Sequence, residues 1–531
     1  MVDPSPACID HPSRSTVTAP CGTVHGVVQG GVHVFKGVRF AQAPVGALRF
    51  APPRPVAVGN IGAPQCDATQ FGAISLQDLD PLPKALPGAE HNFYSLDART
   101  SEDCLNLNVW TPDTGGTAAV YVYIHGGAFL YGSGTGAWID GAQHAREHGV
   151  VVVTLNYRLG LLGGLWLGDH DPHSSNLGLQ DQIEALRWVR ANIAAFGGDP
   201  DLVTIGGQSA GAMSVAALLC APAARGLFHR GIIESGHLAA TVSLEDARRT
   251  TGTVLRALHI DAAGDDVMEH LRSMSALRLL SAEREFGIAI RAFPLVRDGV
   301  VLAADVNEAL RDIAPEVDLL VGTTSQEDRL FSITGWAPPT QTADEAVSGM
   351  LPAGEARETG IALYSRLAAD AGLDDAAIGH LIATEHDWAT PARAVAAEHA
   401  AAGGRTYHYE FAWESSVPDV GAAHLVDLPF FMGNLDASGV PALLGDEVRF
   451  DNETRALADD ISASVAQFIR TGDLSSSPLG TWPVFTAEQR ATMVMDRSSQ
   501  VVQDRLADRL DFWQANSAES VESLTSLGFV E

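Results

Sequence analysis

Along this chain the spacing of apolar residues changes from every second position to a mixture of continuous runs and helical periods, and the change falls near Glu102. Before it, residues 21–28 and 31–40 alternate apolar with polar or small side chains on either side of Gly30-Gly31, which predicts an antiparallel hairpin with one buried face. Residues 1–14 are rich in Pro and Ser and are predicted to be loosely held, residues 43–53 carry too many prolines for regular structure, and residues 66–100 form a long irregular stretch containing Pro81-Leu82-Pro83-Lys84. After Glu102, strands are predicted at 104–110, 120–124, 150–155, 203–205, 231–234, 318–322 and 406–411. The run Val150-Val151-Val152-Val153 is apolar throughout, as in a strand buried on both faces. Ile183, Leu186, Trp188, Val189 and Ile193 fall at helical spacing and predict a helix over 179–196.

Strands alternating with helices predict an α/β fold: a mostly parallel central sheet with helices on both faces, opened by an N-terminal antiparallel meander. Residues 240–315 and 340–400 read as helical, Ala-rich insertions over the active face of that sheet. No Pro- or Gly-rich linker separates a second unit. The expected organisation is therefore one domain over 15–513, a loose N-terminus over 1–14 and a polar tail over 514–531.

Composition narrows the class of partner. At 46% hydrophobic and 19% charged residues over 531 positions the chain is an ordinary globular one. A formal charge of −31 repels phosphate backbones and anionic lipid headgroups, so nucleic acid and membranes are poor partners and a small molecule is the better expectation. No apolar run is long enough to span a bilayer, and Met1-Val2-Asp3-Pro4-Ser5-Pro6 lacks the basic and apolar regions of a secretory signal, which points to the cytoplasm. Five cysteines without a close pair argue against a zinc site, and no metal or cofactor is expected.

The chemistry centres on Gly207-Gln208-Ser209-Ala210-Gly211, where a short apolar strand runs directly into a helix-forming segment. Gly-x-Ser-x-Gly in that context is the sequence of a nucleophile elbow, a turn so sharp that only small residues fit two places before and after the serine. A serine hydroxyl needs a histidine to take its proton and a carboxylate to fix that histidine's tautomer. Two later strands empty into loops that carry Glu327 and His424, in the chain order Ser, acid, His expected of a doubly wound hydrolase. Backbone donors for an oxyanion are expected from Gly127 and Ala128 in His125-Gly126-Gly127-Ala128-Phe129 and from Ala210 after the serine. Phe129, Leu130, Trp138, Phe331 and Trp336 lie beside these loops in sequence and are candidates either for an apolar substrate pocket or for core packing.

These segments together resemble the type-B carboxylesterases, the α/β-hydrolase family that includes bacterial para-nitrobenzyl esterases and the cholinesterases. The resemblance runs from Phe35-Lys36-Gly37-Val38-Arg39-Phe40 to about Trp513 and includes Ser101-Glu102-Asp103-Cys104-Leu105-Asn106, Asn156-Tyr157-Arg158-Leu159-Gly160, Asn176-Leu177-Gly178-Leu179-Gln180-Asp181 and Phe196-Gly197-Gly198-Asp199-Pro200. It implies a serine esterase acting on small to medium apolar carboxylic esters, with Ser209 as nucleophile, Glu327 as acid, His424 as base and Gly127, Ala128 and Ala210 as oxyanion donors. A carbamate or amide hydrolase using the same residues, and a binding module that has lost the chemistry, are the alternatives. Three departures from the family pattern bear on the reading. Gln208 stands where the family carries glutamate, which removes a negative charge beside the base. Asp328 follows Glu327 where a glycine is usual, so two adjacent carboxylates compete for the acid's role. Cys66 and Cys104 match a disulfide of secreted relatives and are expected here as thiols.

Overall fold

A computed structural model describes residues 13–56, 66–79, 92–95, 97–264, 266–285, 293–336, 341–449 and 451–517. Three antiparallel strands open the fold: β1 (Ser13–Ala19), β2 (Gly22–Gln29) and β3 (Val32–Arg39), the last two forming the predicted hairpin. β1 corrects the expectation of a loose start as far as residue 14. Its inward positions are Ser15, Val17 and Ala19, and the small, polar first member hides the alternation from a hydrophobicity reading. Residues 1–12, the Pro81–Lys84 stretch and residues 518–531 of the predicted tail lie outside the described residues. Residues 514–516 belong to a helix, Ala507–Asn516, rather than to a tail.

The remaining strands are β4 (Cys66–Asp67), β5 (Asn106–Thr111), β6 (Ala118–Ile124), β7 (Val151–Leu155), β8 (Gly198–Gln208), β9 (Arg230–Glu234), β10 (Asp318–Thr324), β11 (Thr406–Phe411), β12 (Thr492–Met495) and β13 (Gln500–Val502). One sheet results among the described residues, in the order β1-β2-β3-β5-β7-β6-β8-β9-β10-β11-β12-β13, with β4 beside β2. From β7 to β12 every neighbouring pair is parallel. β12 and β13, only 4 and 3 residues long, are too short to carry a readable period.

Two large apolar layers cover the two faces, and the pleat distributes residues between them. Val120, Val122 and Ile124 of β6 enter one layer while Ala119, Tyr121 and Tyr123 enter the other, because successive strand side chains point to opposite faces. On the first face lie the helices Leu177–Asn192 and Ala210–Leu219; on the second lies Asn452–Thr471 through Leu457, Ile461, Val465 and Phe468. The helix predicted to end at Phe196 ends at Asn192 and tightens into a 3₁₀ turn, Ile193–Phe196. Within the expected insertions, the helices Val306–Ile313 and Thr390–Ala401 pack on the sheet itself, since Leu310, Ile313, Ala392 and Val395 belong to the first layer. The helices Ala343–Met350, Glu355–Ala371 and Asp375–Thr384 close a separate apolar cluster with Trp513. Among the described residues no helix is long and apolar enough to cross a membrane. Cys21, Cys66, Cys104 and Cys220 are free thiols, and burial pushes Cys104 up to about 12.

Because the central strands are parallel, the carboxyl ends of β8, β10 and β11 open at one edge of the sheet, which is where ligands bind in open α/β sheets.

Candidate active site

Ser209 stands where β8 turns into the helix Ala210–Leu219, with its backbone at φ 59° and ψ −126°, a region that costs any residue with a side chain. The strain persists because the surroundings leave no alternative path. A Cβ at Gly207 would lie 2.6 Å from the Gly211 carbonyl carbon, and one at Gly211 would lie 2.0 Å from the Ile124 oxygen, so both positions require glycine as the sequence spacing predicts. The Ser209 N–H donates to the Glu234 carbonyl at 2.9 Å and ties the turn to β9.

The segment His125-Gly126-Gly127-Ala128-Phe129 leaves β6 beside this turn. Gly127, Ala128 and Phe129 all have positive φ, at 106°, 56° and 61°. The loop is pressed against the serine, for a Cβ at Gly126 would lie 3.2 Å from that of Ser209. Gly127, Ala128, Ser209, Ala210 and His424 line one cleft of about 1020 Å³, its open mouth included.

His424 comes from the loop after β11, and Glu327 from the end of β10. The imidazole Nδ1 lies 2.5 Å from Glu327 Oε2. The other carboxylate oxygen accepts from the Thr324 N–H at 2.8 Å and from Ser235 Oγ at 2.6 Å. Both carboxylate oxygens are thereby hydrogen-bonded, which offsets the desolvation of this buried side chain. Asp328, the competing carboxylate, turns the other way: its Oδ2 lies 2.8 Å from His380 Nδ1, at the start of the helix Asp328–Ile333. Gln208 places its amide nitrogen 3.1 Å from His424 Nε2 and 3.4 Å from Nδ1. The rings of Trp388 and Phe331 cover the imidazole, with centroids 4.6 and 5.2 Å away.

Two more carboxyls are buried behind Glu327. Asp427 is pushed up to about 8, chiefly by burial and then by the charge of Glu327, and Glu234 is pushed well above its usual range by burial and then by Asp427. At neutral pH Asp427 holds a proton. A carboxyl whose folded pKa is raised favours the protonated state on folding, so its cost to stability grows between the unfolded value near 4 and the folded value near 8, and is constant above that. Asp427→Asn is therefore expected to stabilise the protein at pH 8 by about 1–3 kcal/mol, with the gain shrinking toward pH 4. Urea melts of both forms at pH 5 and pH 8 measure this, and a difference independent of pH would contradict it.

Of the sequence-selected pocket residues, Phe129, Trp138, Phe331 and Trp336 line the cleft. Leu130 does not: it is buried with Phe50, Leu161 and Leu162 in a separate apolar cluster, because the positive-φ turn before it points it away from the serine. Trp138 contributes only one face, being wholly buried with its Nε1–H donating to the Ser438 carbonyl at 2.8 Å. Sequence reasoning missed Trp388 and Met213, which join Phe331 in one apolar cluster on the cleft wall. Trp388 sits in a π-helical turn, Glu385–Ala389, between two α-helices, an irregularity common at functional sites and invisible to periodicity. It also missed Ser235 and Thr324, which hold the Glu327 carboxylate. Among the described residues no group of three or more His, Cys, Asp or Glu side chains is arranged to hold a metal ion.

Sheet order, strand-end chemistry and the elbow agree with the family comparison: the chain matches the carboxylesterase family over residues 13–513, belongs to that family, and is a carboxylic ester hydrolase of the α/β-hydrolase fold. More particularly, it is 36% identical to the para-nitrobenzyl esterase of Bacillus subtilis (strain 168), over 93% of this chain and 97% of that protein. It is 32% identical to the phenmedipham hydrolase of Pseudarthrobacter oxydans, with the same coverage of 93% and 97%. A crystal structure of the Geobacillus stearothermophilus carboxylesterase superposes with a TM-score of 0.82 at 35% identity, covering 94% of this chain and all of that one (100%).

Proposed function

We propose that the protein hydrolyses small to medium, uncharged, apolar carboxylic esters by two-step acyl transfer, with Ser209 as nucleophile, His424 as general base and Glu327 as the acid that orients it. Ser209 Oγ attacks the ester carbonyl as His424 Nε2 takes its proton. The tetrahedral oxyanion is held by the N–H groups of Gly127, Ala128 and Ala210, and His424 returns the proton to the departing alcohol. Water, deprotonated by the same imidazole, then releases the acid. The observation that carries this reading is the 2.5 Å contact between Glu327 and His424 on the wall of the cleft that Ser209 enters.

The cleft supports the substrate class. Its walls are Phe129, Phe331, Trp336, Trp388 and Met213 with small residues between, and among the described residues no Asp, Glu, Lys or Arg lines it. A charged acyl or alcohol group would be desolvated there without a counter-ion. A cytoplasmic location belongs to the same reading. The test is a panel of p-nitrophenyl esters from acetyl to dodecanoyl, with a matched carbamate, a matched anilide and a succinyl half-ester. We expect kcat/KM to rise up to about fourfold per added CH₂ until the cleft is filled and then to fall. The anionic succinyl ester is expected to be at least about tenfold poorer than its neutral counterpart. A preference for the carbamate, the anilide or the anionic ester would overturn the assignment.

A further inference from the structure

On the far side of the Gln208–His424 contact lies a second, much smaller recess. Asn92, Phe93, Tyr123, His125, Gly126 and Gln208 are among the residues that wall it, and Gln208 and His125 face it rather than the main cleft. Its volume is about 230 Å³ against about 1020 Å³ for the main cleft, both with their openings included, and its polar lining suits water. Tyr123 Oη, His125 Nε2 and Gln208 Oε1 make no hydrogen bond among the described residues. All three residues are buried, at 1%, 4% and 1% exposure. The Tyr123 oxygen lies beside the Gln208 main-chain N–H, which leaves the phenolic proton without an acceptor among the described residues. A single unpaired buried polar atom is uncommon; three on one small recess point to a shared partner.

The donor and acceptor roles of the three atoms follow from their neighbours. His125 Nδ1 lies 2.8 Å from the Gly126 carbonyl, which can only accept, so the ring proton is on Nδ1 and Nε2 offers a lone pair. Burial lowers this histidine to about 4, so it stays neutral at working pH. His424 has its Nδ1 against the Glu327 carboxylate, so that nitrogen carries the proton and Nε2 accepts. The Gln208 amide nitrogen lies 3.1 and 3.4 Å from the two ring nitrogens of His424, which places it over the ring face and leaves the in-plane Nε2 lone pair free for Ser209, while its carbonyl Oε1 turns to the recess. Consistent with this, Oε1 would lie 3.4 Å from a Cβ built on Gly126, one of the recess walls. Tyr123, held protonated by burial, supplies a phenolic donor.

Two acceptors and one donor on one small recess complement one molecule. We propose that the recess binds a single water, which accepts from Tyr123 Oη and donates to His125 Nε2 and Gln208 Oε1, and which thereby locks the Gln208 amide with its nitrogen over the His424 ring. Ammonium has no lone pair for Tyr123, and a bare cation would repel the phenolic hydrogen. The role given to Gln208 is that of a positioning residue. It rests on the reading of His424 as the base; the water site itself does not.

The experiment is a crystal structure of the unmodified protein at about 1.2 Å, joined to kinetics of Tyr123→Phe. We expect a density peak within hydrogen-bonding distance of all three atoms, and a Gln208 amide whose network places Oε1 on that peak. No peak, or a carbonyl facing His424, overturns the site. Tyr123→Phe removes the one donor to the water and is expected to lower kcat about fivefold with KM changed less than about twofold. An unchanged kcat, or a change confined to KM, overturns the positioning role. Fluorophosphonate labelling of Ser209 in the same preparations separates the two readings, since its failure sinks the esterase mechanism while a missing density peak sinks only the water site.

Discussion

Ser209→Ala is expected to lower kcat for ester hydrolysis by about 10⁴- to 10⁶-fold, with little change in fold or melting temperature. The size of the loss follows from the arrangement around the elbow. Without the hydroxyl there is no acyl-enzyme, and what remains is attack by water assisted by His424 over donors still aimed at the carbonyl, which leaves some rate above the uncatalysed reaction. Stability should hold because alanine at φ 59° bears the same backbone strain as serine and keeps the small volume that the turn between Gly207 and Gly211 permits. Turnover of p-nitrophenyl butyrate, corrected for trace parent enzyme, and incorporation of a fluorophosphonate measured by intact mass give the two readouts. A variant retaining more than about a tenth of the parent kcat would remove Ser209 from the mechanism.

The elbow was legible in the sequence because its constraint is local: five consecutive residues, a strand before and a helix after fix both the turn and the exposure of the serine. The long parallel strands were legible for a related reason. Val150 to Val153 must be apolar on both faces when helices cover both, whereas β1 buries Ser15 and so shows no clean alternation. The walls of the cleft were harder to read. Phe129 and Leu130 are neighbours, yet one lines the cleft and the other packs in a remote cluster, because consecutive positive φ values turn the chain before them. Trp388 is far from the other site residues in sequence and reaches His424 only through a π-helical turn that no periodicity announces. Gln208 stood out as a departure from the family pattern, but its contact with the imidazole and the orientation of its amide follow only from where His424, Glu327 and His125 come to rest.

The sequence favours Glu327 over Asp328 as the acid without deciding it, since adjacent carboxylates after a strand point in directions set by where the strand ends and the helix begins. In the fold, the end of β10 aims Glu327 at His424, while Asp328 opens the helix and pairs with His380. Glu327→Gln is accordingly expected to lower kcat by about 10³- to 10⁴-fold, and Asp328→Asn by less than about tenfold. The amide replacement is the sharper test of the two conventional ones, because Thr324 N–H and Ser235 Oγ both donate to Oε1 and would hold the glutamine oxygen in that place. Its NH₂ would then face His424 Nδ1, forcing that nitrogen to accept and moving the ring proton to Nε2. In that tautomer the imidazole can no longer take a proton from Ser209, so activity falls through the base although the base is untouched. Binding should survive, leaving KM within about threefold, since neither carboxylate lines the cleft. If Asp328→Asn proves the more damaging substitution, the acid has been assigned to the wrong residue, and the short contact between Glu327 and the imidazole is structural rather than catalytic.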